Sequence, residues 1–357
     1  MDLRQDPMAA QLMRAVDAAL SGTRSPSVEL ADMGIPALSL PEELGGYGLG
    51  LSADVAVNSR LGYQLEPVPA YRETVLALEL LPAGVELGSV QDLLLNGVAH
   101  AAAVGLHDTS ALRLDADGRL WGDTAELPDS RYALLVVRAG TDDGRARWLL
   151  VDPEQAAVRT TAGARLEQPH VRFSFDDAET RELDVSEAAV QRAFDRARVR
   201  NAALLLGVAD RALETARAHV NRRIQYGDPL IKLQTIAHRL ARLVGIGDGW
   251  RLLLHEIAWQ HDRELVRAGD SALILGVAAD HALECSRLGI QLHGVRGMLA
   301  HSTAAGAYRV ASVEAIRLGT PHRQWVEAGH AAAGFGLHTF AVAPEDIESS
   351  AGEFASL

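Results

Sequence analysis

Cysteine is almost missing from this chain: Cys285 is the only one in 357 residues. No disulfide can form within the chain, so the stapled secreted scaffolds are excluded and a reducing, cytoplasmic setting is expected. In its context, HALECSR at 281–287, the thiol reads as a partly buried small side chain on a helix. Long apolar runs are missing too. No segment approaches the roughly 20 apolar residues that cross a bilayer, and the N-terminus carries acids where a signal peptide would be apolar. Basic charge is in deficit, with 47 Asp and Glu against 34 Lys and Arg, a formal net charge of −13. Without a clustered basic stripe, nucleic acid is not expected as a partner. A phosphate-bearing cofactor stays open, because one or two local arginines suffice to meet it. Metal spacing is absent as well. His255, Glu256 and His261 do not make an HExxH pattern, and His293, His301, His322 and His330 are scattered, so no metal is expected.

What is present describes a folded protein of more than one unit. Hydrophobic residues are 48% and charged residues 23% of a chain too long for one core of usual size. Residues 1–96 mix helical patterns with loop signals. Leu12, Val16 and Leu20 share one helical face, and the glycines of LPEELGGYGLG read as a plain turn, with Ser52 as N-cap of the helix that follows. Residues 97–184 change to alternating strands. Leu112–Trp121 flank the hairpin signal DADG, Tyr132–Val137 and Trp148–Val151 flank TDDG, and Val171–Asp176 alternate again, which together predict a small antiparallel β unit. DADG lacks the later ligands of a calcium loop. From 185 to 342 the pattern is a helical bundle, with Leu205, Val208, Ala212, Leu213, Ala216 and Val220 on one face, and Leu233, Ile236, Leu240, Leu243 and Val244 on another. Residues 343–357 read as a tail. The fold class expected is therefore mainly α with a small β domain in the middle.

Five motifs stand in order in the bundle. FDRAR at 194–198 is followed by RIQYGDPLIKLQ at 223–234, then by QLHGVRG at 291–297, then by the Tyr308–Arg309 pair and RLGT at 317–320. In this order and at these spacings they resemble the acyl-CoA dehydrogenase family of flavoproteins, and the PEELGGYGLG loop matches that family's N-terminal helical domain. The resemblance covers most of the chain and is strongest over 190–330. It implies FAD as cofactor and an acyl thioester, acyl-CoA, as substrate. A glutamate takes the proton beside the thioester carbonyl while hydride passes from the β-carbon to the flavin. It also implies that Arg223, Gln225, Tyr226, Gln234, Gln291, Gly294 and Thr320 contact cofactor, several of them reaching the ADP half of a neighbouring subunit's FAD, and that Arg198 contacts substrate. The residue types suit this: Arg223 can give paired charge-assisted hydrogen bonds to a diphosphate, and Gly294 permits close backbone approach.

The departures are as informative. Leu318 occupies the place of the catalytic glutamate, and Ala197 the place on an earlier helix where some members carry their base. Neither accepts a proton, and a general base is commonly worth about 10²–10⁴-fold in rate. In the β unit, the family's Thr-Glu-Pro and Trp-Ile-Thr runs are replaced by 104–110 and by Glu126, Leu127 and Pro128. The flavin ring's pocket therefore reads as unmade and the ADP clasp as retained. This pattern resembles the base-lacking subunit of heteromeric α2β2 acyl-CoA dehydrogenases. There a homologous partner would supply the glutamate and the ring pocket, half the flavin sites would be filled, and the acyl group would be bulky, such as a steroid side chain. Two other readings are open. One is a self-sufficient homo-oligomer with a relocated base, for which Asp195, Glu314 and His322 are candidates. The other is a flavin-free interaction subunit.

Overall fold

The computed structural model describes residues 7–82, 84–106, 111–165 and 168–335. Five helices open the chain: α1 Pro7–Leu20, α2 Pro26–Asp32, α3 Leu51–Gln64, α4 Pro69–Glu79 and α5 Ser89–Leu95. Proline starts α1, α2 and α4, where its missing N–H costs no hydrogen bond. Ser52 is not the N-cap of α3. Gly50 precedes the helix, and the capping carboxylate comes from the far end of the chain: Asp262 accepts from Leu51 N–H at 2.5 Å and from Ser52 N–H at 3.1 Å. A carboxylate satisfies the orphan amides of a first turn better than a hydroxyl does, because its charge also complements the helix dipole.

Nine strands among the described residues form one sheet: β1 His100–Val104, β2 Leu112–Leu114, β3 Leu120–Asp123, β4 Leu127–Pro128, β5 Tyr132–Thr141, β6 Ala146–Val151, β7 Val158–Arg165, β8 Gln168–Ala178 and β9 Arg181–Leu183. The predicted hairpins form, with Leu112 opposite Gly122 and Val136 opposite Leu150. Asp115 spends its carboxylate on the turn, accepting from Asp117 and Arg119 N–H and from the Trp121 indole, so it is a turn residue and not a cation ligand. The sheet is mixed rather than antiparallel, because β1 and β2 both run parallel to β5. The 27 residues between Val104 and Tyr132 give the chain room to cross back before β5, which a tight hairpin does not.

The rest is helical: α6 Glu187–Arg222, α7 Gln234–Asp262, α8 Asp270–His293, α9 Thr303–Glu314 and α10 Pro321–Phe335. A two-residue turn joins the short strands β10 Ile224–Gln225 and β11 Asp228–Pro229 between α6 and α7. Ser186 caps α6 by accepting from Ala189 N–H at 3.2 Å. The predicted apolar face of α6 is wholly buried, and each leucine so buried contributes about 2 kcal/mol. Helices α3 and α6 cross closely because each places a glycine there: a Cβ on Gly62 would lie 1.9 Å from the Leu204 carbonyl oxygen, and one on Gly207 2.1 Å from that of Ser59. On α7 the expectation holds for Leu240 and Leu243 but not throughout. Leu233 and Val244 are 45% exposed, since none of the described residues covers that side. Cys285 is fully rather than partly buried, and burial pushes its thiol up to about 12. The expected tail lies outside the described residues, and so do His107–Ser110 of the altered β-unit stretch. Among the described residues no helix is long and apolar enough to cross a membrane, and no cluster of His, Cys, Asp and Glu is arranged to hold a metal ion.

Candidate functional site: two clefts

Two clefts of similar size hold most of the residues that the motifs point to. The first, of about 620 Å³, lies between the end of α6, the start of α7, the end of α8 and the Gly294–Met298 turn. It brings together Arg223, Gln225, Gln291 and Gly294, which lie far apart in sequence. It adds residues that the motifs did not single out: His219, Arg239, His293 and Arg296. No carboxylate lines it, and none of its three arginines is ion-paired among the described residues. Unpaired guanidiniums on a concave wall attract an anion at little desolvation cost, and their planar forks match phosphate oxygens. Gly294 has φ +58 and an open side, so its backbone is accessible.

The rim of this cleft is apolar and bare: Ile224, Val295 and Met298 are 61%, 78% and 73% exposed. Tyr226 stands at the tip of the β10–β11 turn, 94% exposed, with φ 54, beside Gly227 with φ 88. It faces outward and does not line the cleft. Gln234, at the first position of α7, is exposed and also outside the lining. Thr320 is elsewhere, where its hydroxyl caps α10 by accepting from Arg323 N–H at 3.3 Å.

The second cleft, of about 540 Å³, lies between α4, the sheet and the break between α9 and α10. Leu318 lines it and is buried, its carbonyl accepting from the Gln324 side chain at 2.8 Å. Gly319, with φ 102, makes the sharp turn that the helix break requires, and Pro321 starts α10. The opposite wall carries Asp123, Glu126, His170 and Arg172. Pro128 is not part of it. It is buried in β4 against His170 of β8 and gives its carbonyl to Tyr132 at 2.8 Å.

Behind Leu318 lies an ionic cluster that no motif announced. Glu314 is fully buried and bonded to Arg72 at 2.6 Å and to Arg317 at 2.8 and 2.9 Å. Arg72 also reaches Asn201 at 2.7 Å and the Pro67 carbonyl at 3.1 Å, and Asn201 donates to the Glu314 carbonyl at 2.8 Å. Burial alone would raise the Glu314 carboxyl, but Arg317 and Arg72 outweigh it and hold the group at about 2. Such a carboxylate is a poor proton acceptor, so Glu314 sits on the right face but is not available as a base. Glu73, on α4, reaches the cleft from the side of this cluster. Burial pushes its carboxyl up, and Arg317 at 3.4 Å offsets this only in part.

The other sequence candidates lie outside both clefts. Asp195 accepts from Gln191 at 2.9 Å and from the Ser271 hydroxyl at 2.5 Å, tying α6 to α8. His322 is exposed on α10. Ala197 is buried in the bundle. Arg198 is buried too, paired with Glu327 of α10 at 2.5 Å and lying over the Phe194 ring at 4.4 Å. Its guanidinium ties α6 to α10 and lines neither cleft.

Comparison with known proteins places this architecture. Residues 188–328 match the family model described as acyl-CoA dehydrogenase, C-terminal domain. A variant of the Tcur3481-Tcur3483 steroid ACAD is 23% identical with a TM-score of 0.77, over 92% of this chain and 96% of that one. The ChsE4-ChsE5 complex from Mycobacterium tuberculosis contains a chain 22% identical with a TM-score of 0.79, over 93% and 99%. A glutaryl-CoA dehydrogenase from Mycobacterium smegmatis in complex with FADH2 is 18% identical with a TM-score of 0.80, over 92% and 95%. The fold is thus that of the acyl-CoA dehydrogenases. The family-model match itself is confined to the bundle, at 188–328.

Proposed function

We propose that this chain is the base-lacking subunit of a heteromeric, FAD-dependent acyl-CoA dehydrogenase. The observation that carries the reading is the contrast between the clefts. The bundle cleft has three unpaired arginines and no acid, while the Leu318 cleft has no proton acceptor at the loop position. FAD supplies a hydride acceptor for desaturation of an acyl thioester, and the bundle cleft fits its ADP half. Arg223 and Arg239 neutralise the diphosphate, Gln225 and Gln291 bond uncharged polar groups, and Gly294 lets the nucleotide approach the backbone. The apolar rim of Ile224, Val295 and Met298 then packs against the subunit that holds the ring.

The Leu318 cleft does not fit the ring. Asp123, Glu126, Arg172, Arg317 and Glu73 line it and no Phe, Tyr or Trp among the described residues does, so a flat apolar ring would desolvate five charged side chains. No reaction step is assigned to this cleft. The proposed substrate is an acyl thioester of a bulky acid such as a steroid side chain. Two structural neighbours are compatible with this, one a steroid ACAD and one a two-component complex.

The test is co-expression with a homologue that carries Glu before Gly-Thr in the matching loop. The pair is expected to co-purify yellow, with one flavin for every two chains, and this chain alone colourless. Stoichiometric FAD in this chain alone, with oxidation of an acyl-CoA, would overturn the reading. Glu73 motivates a second reading, a self-sufficient enzyme in which it replaces the loop base. E73Q in a purified active homomer distinguishes the two, since only in that case does turnover collapse.

A further inference from the structure

We infer that the contacting pair His219 and His293 is a proton-linked element of the bundle cleft, so that a diphosphate bound there draws a proton into the protein. The inference rests on reading that cleft as a diphosphate site. The two rings lie 4.3 Å apart between centroids at a 31° tilt, and both are half-buried. His219 stands one turn before Arg223 on α6, and His293 ends α8, with its Nδ1 held to the Gly289 carbonyl at 2.7 Å.

Every element around the pair adds positive or neutral groups: Arg222 and Arg223 from α6, Arg239 from α7, Gln291 from α8 and Arg296 from the turn after it. No carboxylate lines the cleft to receive an imidazolium. Burial holds the His219 ring below its ordinary 6.5, and His293, Arg223, Arg222 and Arg296 press the same way. A bound diphosphate reverses that field. It neutralises the arginines and gives an imidazolium a partner, so the bound form titrates higher than the free form.

The sign follows from linkage. Affinity rises as pH falls through the interval between the two values, and levels off below the lower, which lies under 6.5. For one proton the slope is at most about tenfold per pH unit.

The experiment is titration calorimetry of the purified full-length chain with ADP-ribose, whose diphosphate is a diester and does not itself titrate near neutrality. Slightly below neutral pH, two buffers of different ionisation enthalpy should give different heats that correspond to uptake of up to one proton. H219Q should abolish the difference and flatten the pH profile while unfolding at an unchanged temperature; H293Q should reduce it. Equal heats in both buffers with the wild-type chain overturn the inference, whether or not either variant folds. So does uptake that survives in H219Q. Absence of ADP-ribose binding at every pH overturns it too, and the flavin content of the co-purified complex then shows separately whether the cleft itself was misread.

Discussion

The bundle cleft and the Leu318 cleft differ less in volume, about 620 against about 540 Å³, than in what their charges are doing. In the first, Arg223, Arg239 and Arg296 line the hollow and form no ion pair among the described residues. In the second, acids and arginines share the wall, and behind it Arg72 and Arg317 grip the buried Glu314. Unpaired charge on a wall is a liability for a free subunit and an asset once a ligand arrives. Paired charge in the interior does the opposite, holding a shape and resisting any ligand that would separate the pair. On the proposed reading one cleft receives a ligand, while the ionic cluster behind the other braces the fold.

Breaking the brace should have the largest effect. E314A leaves Arg72 and Arg317 buried without their carboxylate, and removing one partner of a buried pair costs about 3–5 kcal/mol. Chemical denaturation should show that loss while ADP-ribose binding at the bundle cleft, measured where the variant is folded, stays within about twofold because the sites are separate. A loss under about 1 kcal/mol would mean that the cluster is solvated and does not brace the fold.

Acid should reach the same cluster next. The folded Glu314 value of about 2 lies below its ordinary 4.5, so its stabilisation is complete above about 4.5 and is lost as pH falls towards 2. Glu73 has the opposite sign. Its folded value is raised, so its ionisation opposes folding as pH rises past the ordinary 4.5. E73Q should therefore leave the acid limb in place and slightly raise stability at neutral pH, and a lost acid limb would assign that limb to Glu73 instead.

At the receiving cleft, R223A removes charge-assisted hydrogen bonds of about 1.5–3 kcal/mol, which predicts roughly 10–100-fold weaker ADP-ribose binding and no change in unfolding temperature. The smallest effect is expected from restoring the missing acid. L318E should give no acyl-CoA oxidation by the chain alone, since the walls of that cleft remain charged. Measurable turnover would show that one substitution was all that separated the two clefts.

Much of this was legible in the residues. The order helix, sheet, bundle follows from periodicity, and Arg223, Gln225, Gln291 and Gly294 converge as their motifs imply. The parts that were not legible share a physical cause. Arg72, Glu73 and Glu314 look like solvated helix charges in a linear reading, because pairing between α4 and α9 has no local signature. Arg239 and Arg296 are likewise ordinary surface arginines until a cleft surrounds them. His219 had a readable signal, one helical turn before Arg223, and that spacing would have found it. The sheet's two parallel pairings were hidden because hairpin signals report only neighbours in sequence.

The clasp of Asp262 on the first turn of α3 joins the end of one long bundle helix to the start of a helix near the beginning of the polypeptide. Excising the bundle at the edge of its family match would strand that carboxylate and leave α3 with naked amides. The bundle is therefore tied to the helices that precede the sheet, and expression of the two together should keep that clasp.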